Sequence, residues 1–197
     1  RESFSRANDI LNLMTLEEKV GQMTHIDQRF LDTITDLSTY HIGSLLSGGG
    51  SHPEVNEPQA WLDMYNNYQN EALKSRLGIP LVYGIDAVHG HNNVYGAVIF
   101  PHNIGLGATN NPELIHKVSE ITSIEVSATG IDWTFAPCLS SPEDYRWGRT
   151  YEGFSSDPSL VANLGAAAVS GYQSVANMNG KKVIACAKHF VGDGNTE

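Results

Sequence analysis

The sequence alternates short apolar segments with longer amphipathic ones, and this alternation limits the chain to a few architectures. Four apolar segments have the length and composition of strands that are buried on both faces: 42–46, 80–85, 131–136 and 183–187. The periodicity between them predicts helices over 58–75, 112–128 and 158–175. Because a helix separates each pair of these strands, we expect parallel strands joined by right-handed crossovers.

Capping residues mark where three helices begin. Asn111-Pro112 and Asp157-Pro158 each combine an N-cap side chain with a proline at the first helical position. Thr15 is followed three residues later by Glu18, which is the spacing of a capping box. A further helix is therefore expected to begin directly after Thr15.

Polar, glycine-containing loops follow all four predicted strands: 47–52, 86–91, 137–152 and 188–193. In an open doubly wound sheet the functional loops concentrate at one switch point, whereas in a (β/α)8 barrel they all share one mouth. The sequence therefore predicts an α/β fold of the TIM-type (β/α)8 barrel class. Predicted strand starts are ~47 residues apart on average, so eight units need roughly 376 residues. The 197 residues are expected to supply about four β/α units, roughly half of a barrel.

The balance of charges argues against two classes of partner. The chain has 12 Lys+Arg against 22 Asp+Glu, which gives a formal net charge of −10. An acidic surface repels phosphate backbones and anionic lipids, so we expect neither nucleic acid nor a membrane as a partner. Cys138 and Cys186 are too few for a disulfide scaffold and form no CxxC pair. We interpret them as buried thiols, while a bridge between adjacent strands stays open.

Asp86 comes directly after the second predicted strand, and His89 and His91 follow it. One hypothesis is that these three side chains bind a divalent metal, since carboxylate and neutral imidazole are suitable ligands, although no further ligand is visible. A second is that the histidines cap loop carbonyls and shape the mouth. In a third, Asp86 accepts hydrogen bonds from two neighbouring hydroxyls of a substrate, because a carboxylate is an acceptor with two oxygens.

The loop after the third predicted strand contains Trp147, Arg149 and Glu152. It is either a surface loop with internal arginine–carboxylate pairs or a binding loop. Aromatic rings offer an apolar face and arginine a rigid donor fork, and together they suit a ligand with many hydroxyls on a ring.

Lys188 and His189 end the fourth predicted strand. A buried ammonium is costly unless a carboxylate faces it, and Asp86 is the expected partner. The other interpretation is a core histidine beside a lysine whose stem lies along apolar surface.

At these segments the chain resembles the N-terminal barrel of glycoside hydrolase family 3, the β-glucosidases and exo-β-glucanases. The motifs that carry the resemblance are Gly-Ile-Asp-Ala-Val-His-Gly (84–90), Phe-Pro-His-Asn-Ile-Gly-Leu-Gly-Ala-Thr (100–109), Phe-Ala-Pro-Cys (135–138), Arg-Trp-Gly-Arg (146–149) and Lys-His-Phe-Val-Gly-Asp-Gly (188–194). The similarity runs from Leu16 to the end. Tyr145 and Ser156 depart from the family pattern, which affects loop conformation rather than sugar contacts. Val191-Gly192-Asp193 favours the glucosidase and exo-glucanase branch over the N-acetylglucosaminidase branch.

The resemblance implies a retaining glycosidase that releases β-linked glucose from the non-reducing end of β-glucosides or β-glucans, with no metal or organic cofactor. The implied substrate-binding residues are Asp86, Arg149, Lys188 and His189, and the site-shaping residues are His89, Trp147 and Glu152. Two alternatives stay open: a non-catalytic carbohydrate-binding protein of the same fold, and a metal-dependent hydrolase using Asp86, His89 and His91.

The resemblance also implies that residues 1–197 form part of one barrel domain. The family's aspartate nucleophile lies late in the barrel and its glutamate acid/base lies in a second domain, so no catalytic carboxylate is expected in this chain, which ends at Glu197. The remainder of the barrel and the second α/β domain would be required for activity. Many family members are exported, which implies a secreted or periplasmic location.

Overall fold

The computed structural model describes residues 2–177 and 180–196, and within these ranges strands and helices alternate. The strands are β1 (His25–Asp27), β2 (Ser44–Ser47), β3 (Val82–Ile85), β4 (Trp133–Thr134) and β5 (Ile184–Ala185). The α-helices are α1 (Glu2–Leu13), α2 (Leu16–Gln22), α3 (Asp36–Thr39), α4 (Pro58–Ala72), α5 (Asn103–Ala108), α6 (Pro112–Ala128) and α7 (Pro158–Tyr172). Two 3-10 turns cover Gln28–Phe30 and Thr150–Glu152.

The described strands form one parallel sheet in the order β1-β2-β3-β4-β5, so that each strand pairs with its neighbour in sequence. A doubly wound sheet changes direction at a switch point, whereas a (β/α)8 barrel adds strands in sequence order. The order of the strands therefore agrees with the predicted fold class, part of a TIM-type barrel.

Alternate residues of these strands face opposite sides of the sheet. On one side, Leu45, Tyr83 and Ile85 are fully buried in a core that includes Trp61 of α4. On the other side, Val82 and Ile184 remain 38% and 49% exposed. Helices thus cover one face of the sheet, and the opposite face is open and corresponds to the interior of a barrel.

Aromatic rings fill part of the open face. The His25 ring lies 5.2 Å from the indole of Trp133, which in turn lies 4.7 Å from the ring of Phe135. A side chain at Gly84 would collide with the Phe135 ring, so the close approach of β3 to these rings requires glycine.

A second core anchors the long loop after β4. Leu106, Ile115, Leu164 and Phe154 pack together, and Phe154 lies two residues beyond Glu152. Gly107 of α5 approaches the backbone of Phe154 too closely for any side chain. The carboxyl end of this loop is therefore held against α5, α6 and α7.

The predicted helices are present, with small differences at their ends. Asn111 and Asp157 cap α6 and α7 through their side-chain oxygens, and Thr15 and Glu18 form the expected capping box. Helices α4 and α7 each end three residues earlier than predicted, at Ala72 and Tyr172.

The prediction of four strands was incomplete, because β1 was missed. His25-Ile26-Asp27 contains one aliphatic residue, so its sequence has no apolar run, and it is identified as a strand only by its pairing with β2. The described chain thus holds four strand-to-helix crossovers and a fifth strand.

No helix among the described residues is both long and apolar enough to cross a membrane. Glu197, which precedes the segment in which the resemblance would put the nucleophile, lies outside the described residues.

Trp61 provides a test of the helix-covered core. Its side chain is fully buried, and its Nε1 donates a 2.7 Å hydrogen bond to Asn56 Oδ1. We expect Trp61→Ala to lower the free energy of unfolding by about 3–5 kcal/mol, through the cavity and the lost hydrogen bond. Chemical denaturation of the protein that carries this chain measures the effect. Phe4→Ala is the control, because Phe4 is 80% exposed and its truncation should change stability by less than about 0.5 kcal/mol. Equal effects of the two substitutions would contradict the packing described here.

Candidate active site

The candidate site lies where β3, β4 and β5 end. Asp86 directly follows β3, and Arg149 lies in the loop after β4. The segment after β5 pairs with the segment after β4, because Lys188 N donates to Pro137 O and Leu139 N donates to Lys188 O. Because the carboxyl ends of parallel strands meet at one edge, residues far apart in sequence come together there.

Asp86 and Lys188 form the ion pair that the sequence predicted. Lys188 Nζ lies 3.0 Å from Asp86 Oδ1, and the lysine side chain is only 11% exposed while that of Asp86 is 40% exposed. The two side chains meet because alternate residues of a strand face the same side of the sheet. Asp86 faces the same side as Gly84, and Lys188 faces the same side as Ile184, which in both cases is the open face. The pair neutralises an ammonium that would otherwise be buried alone.

Arg149 is held from two sides. Its Nε and Nη2 donate to Glu152 Oε1 and Oε2 at 2.6 and 2.8 Å, which is a bidentate pair. Its Nη2 also lies 3.0 Å from His189 Nε2. The guanidinium is thus fixed between the loop after β4 and the loop after β5.

His189 has a second partner on its own loop. Its Nδ1 lies 2.6 Å from Asp193 Oδ2, and the same oxygen accepts from Ser140 Oγ at 3.0 Å. Ser140 lies in the loop after β4, so Asp193 joins the two loops that carry Arg149 and His189.

The pKa of Glu152 is lowered on balance. Burial alone raises this pKa, but the hydrogen bonds and the positive charge of Arg149, with a smaller effect of Lys188, outweigh the burial. Glu152 therefore stays ionised in the fold and keeps Arg149 in place.

The other two residues predicted to shape the site also lie near it. His89 packs edge-on against His102, with ring centroids 4.6 Å apart, and both burial and the neighbouring His102 lower the pKa of His89. Trp147 is half-buried, and its ring lies against Gly194, whose φ of +69° is in the left-handed region. Both rings pack against neighbouring loops.

The predicted trio of Asp86, His89 and His91 does not form a metal site. His91 is fully buried, its Nε2 is 2.9 Å from Thr129 Oγ1, and its ring packs near Trp61 in the helix-covered core. Its ring is therefore turned away from the mouth. Residues 2–177 and 180–196 contain no group of three or more potential metal ligands. The interpretation that His91 shapes the mouth is wrong for the same reason.

The loop after β4 contains the internal arginine–carboxylate pairs of the first predicted interpretation, and its role as a binding loop stays a prediction. Asp144 and Arg146 form an ion pair on the surface, where the Arg146 side chain is 91% exposed, and such pairs contribute little to stability. Arg149 and Glu152, a few residues later, face the site. Cys138 and Cys186 are both free thiols, so they form no bridge; Cys138 is buried 3.1 Å from Ser140 Oγ, whereas Cys186 is only partly buried, contrary to the prediction.

Sequence reasoning missed the roles of Asp193 and Ser140. Asp193 stands between Gly192 and Gly194, whose φ values of +107° and +69° lie in the left-handed region. A carboxylate between two glycines is the signal that could have marked a special turn there. Nothing in the sequence around Ser140 marks it, because its contact with Asp193 depends on the pairing of β4 with β5.

The carboxylates, ammonium, guanidinium and imidazoles of this site lie at the carboxyl ends of parallel strands, which is where the active sites of (β/α)8 barrel enzymes are found. Residues 15–197 match the model of the glycosyl hydrolase family 3 N terminal domain. The chain belongs to glycosyl hydrolase family 3 and contains its N-terminal domain.

Individual relatives agree with this assignment. The chain is 39% identical to the lysosomal beta glucosidase of Dictyostelium discoideum, covering 98% of this chain and 26% of that protein. It is 29% identical to the periplasmic beta-glucosidase of Salmonella typhimurium, covering 100% of this chain and 24% of that protein. The exo-1,3/1,4-beta-glucanase of a Pseudoalteromonas species superimposes with a TM-score of 0.90 at 44% identity, over 98% of this chain and 25% of that one. The chain thus spans about a quarter of the length of these relatives.

The Glu152 carboxylate gives a pH prediction. Because folding lowers its pKa below the ordinary 4.5, its ion pair contributes stability above that pH, and the contribution is lost as the pH falls through the lowered value. Glu152→Gln removes this titration. Unfolding by urea should therefore show a steeper loss of stability for wild type than for the variant as the pH falls below about 4.5. Parallel curves for the two proteins would contradict this origin of the pKa shift.

Proposed function

We propose that this chain forms the glycone-binding part of the active site of a retaining glycosidase, which releases β-linked glucose from the non-reducing end of β-glucosides or β-glucans. The names of the relatives support the activity and the substrate class. The observation that carries the proposal is the convergence of Asp86, Lys188, Arg149 and His189 at one edge of the sheet.

The hydrogen-bonding capacity left open at this edge matches a sugar. Among the described residues, Asp86 Oδ2 has no partner, Lys188 uses one of its three N–H bonds on Asp86, and no group accepts from Arg149 Nη1. A carboxylate oxygen accepts from hydroxyls, and ammonium and guanidinium groups donate to them. Neighbouring hydroxyls of one glucose ring need this mixture of donors and acceptors.

The internal pairs preorganise these groups. Lys188 is held by Asp86, and Arg149 is held by Glu152, so the donors keep their directions before a sugar arrives. Binding then costs little side-chain entropy, and hydrogen bonds that strengthen in the oxocarbenium-like transition state lower the barrier.

The reaction itself needs two carboxylates on either side of the glycosidic bond. By the family resemblance, the aspartate nucleophile and the glutamate acid/base come from outside residues 1–197, and the remainder of the barrel and a second domain supply them. No metal or organic cofactor is required for this chemistry. For location we propose a secreted or periplasmic protein, in line with the Salmonella relative, while the Dictyostelium relative is named lysosomal.

Asp86→Ala tests the function in the protein that carries this chain. Removal of the carboxylate takes away a sugar contact and leaves Lys188 without its partner, so kcat/KM on an aryl β-glucoside should fall by roughly 100-fold or more, about 3 kcal/mol. Asp63→Asn is the matched control, because Asp63 lies exposed on α4 and contacts Gln59 there, and its kcat/KM should stay within about twofold of wild type.

Three results would count against this assignment. Unchanged kcat/KM in Asp86→Ala contradicts the role of Asp86. Hydrolysis that is lost on chelation and restored by a divalent ion contradicts a glycosidase without a metal cofactor. Binding of glucose or a β-glucan oligosaccharide by wild type without any hydrolysis identifies a carbohydrate-binding protein instead.

A further inference from the structure

A chain of hydrogen bonds runs behind the proposed glycone site, and His189 stands at its centre. It connects, in order, Glu152, Arg149, His189, Asp193, Ser140 and Cys138, with heavy-atom distances from 2.6 to 3.1 Å. This series of hydrogen bonds crosses from the loop after β4 to the loop after β5 and back. It contains three residues, Asp193, Ser140 and Cys138, that have no part in the proposed function.

The direction of each bond follows from which groups can donate. Arginine only donates, so His189 Nε2 must accept from Arg149 Nη2. The hydrogen of a neutral imidazole then sits on Nδ1, which donates to Asp193 Oδ2. An ionised carboxylate only accepts, so Ser140 Oγ donates to Asp193, and the thiol of Cys138 is left as the donor to Ser140.

The opposite tautomer would fail at both ends of the ring. A hydrogen on Nε2 would face a guanidinium N–H at 3.0 Å, and the bare Nδ1 would face a carboxylate oxygen at 2.6 Å. Two donors would meet on one side and two acceptors on the other.

We propose that Asp193 is a positioning residue that holds His189 in the tautomer with hydrogen on Nδ1, so that Nε2 is an acceptor at the mouth of the barrel. This inference rests on the function proposed above, in which His189 contacts the glycone. The single lone pair of Nε2 already accepts from Arg149 Nη2, so a sugar hydroxyl that reaches Nε2 must donate its hydrogen and share or replace that bond.

Asp193 is itself fixed for this task. Its Oδ2 accepts from three groups: Ser140 Oγ at 3.0 Å, the His189 amide at 3.3 Å and His189 Nδ1 at 2.6 Å. The shortest of these is the bond to the ring. Hydrogen bonds from His189 and Ser140 lower the pKa of Asp193 despite its partial burial, which raises it, so the carboxylate stays an acceptor.

A double-mutant cycle separates positioning from a general structural role. In the protein that carries this chain, Asp193→Ala should lower kcat/KM on an aryl β-glucoside by ~10-fold or more when His189 is present. In the His189→Ala background the same substitution should cost less than about twofold, because the group through which it acts is gone. Asp193→Asn keeps an acceptor oxygen and should fall between wild type and Asp193→Ala.

Equal losses in both backgrounds, or no loss with His189 present, would overturn the proposal. Asp144→Asn is the matched control, since Asp144 pairs with Arg146 on the surface and its substitution should leave kcat/KM within about twofold.

The tautomer can also be read without any substitution of Asp193. In wild-type protein labelled with 15N-histidine, long-range 1H–15N correlation distinguishes a protonated from an unprotonated ring nitrogen, and the His189 signals are those lost in His189→Ala. Protonated Nδ1 with unprotonated Nε2 supports the proposal, and the reverse overturns it, even if Asp193→Ala does not fold. A protein without glycosidase activity would refute the proposed function but would leave this measurement intact.

Discussion

The parallel pairing of β1 to β5 in sequence order is the constraint on which the site depends. It brings the carboxyl end of every strand to one edge, so that Asp86 and Lys188 meet although 102 residues separate them. The same pairing continues past β5 into the segment that carries Lys188 and so sets the distance between the loops after β4 and β5. Helices on one face hold the strands in place and leave the other face open.

The charged side chains of the site are each paired with an oppositely charged or complementary side chain of the protein. Asp86 balances Lys188, Glu152 balances Arg149, and the Asp193 carboxylate faces the Nδ1–H of His189. Each partner restricts the direction in which a donor or acceptor points, and this order comes from the protein before a ligand binds. An exo-1,3/1,4-beta-glucanase about four times as long superimposes on this chain with a TM-score of 0.90, so the same arrangement of strands occurs in that relative.

Some features were predictable because they depend on neighbouring residues. The beginnings of α6 and α7 follow from Asn111-Pro112 and Asp157-Pro158, whose caps act within one helical turn. The partner of Lys188 was predictable because a buried ammonium requires a carboxylate, and few carboxylates follow a strand directly. The strand β1 was not, since His25-Ile26-Asp27 lacks an apolar run and is a strand only through its hydrogen bonds to β2. The prediction for His91 was wrong because a loop can direct one histidine to the mouth and the next into the core. In the core His91 contacts Thr129 and Trp61.

The sequence by itself determined the alternation of strands and helices, the barrel class, the family and the residues at the strand ends, because these follow from local periodicity and from motifs of contiguous residues. Only the tertiary structure decided which way the hydrogen bonds run through His189, and that Asp193 and Ser140 lie behind it. Arg149 and His189 are 40 positions apart and Ser140 and Asp193 are 53 apart, in two different loops, and no local pattern encodes the distance between them. The donor or acceptor character of a neutral imidazole is set by its neighbours in space, and therefore by the fold.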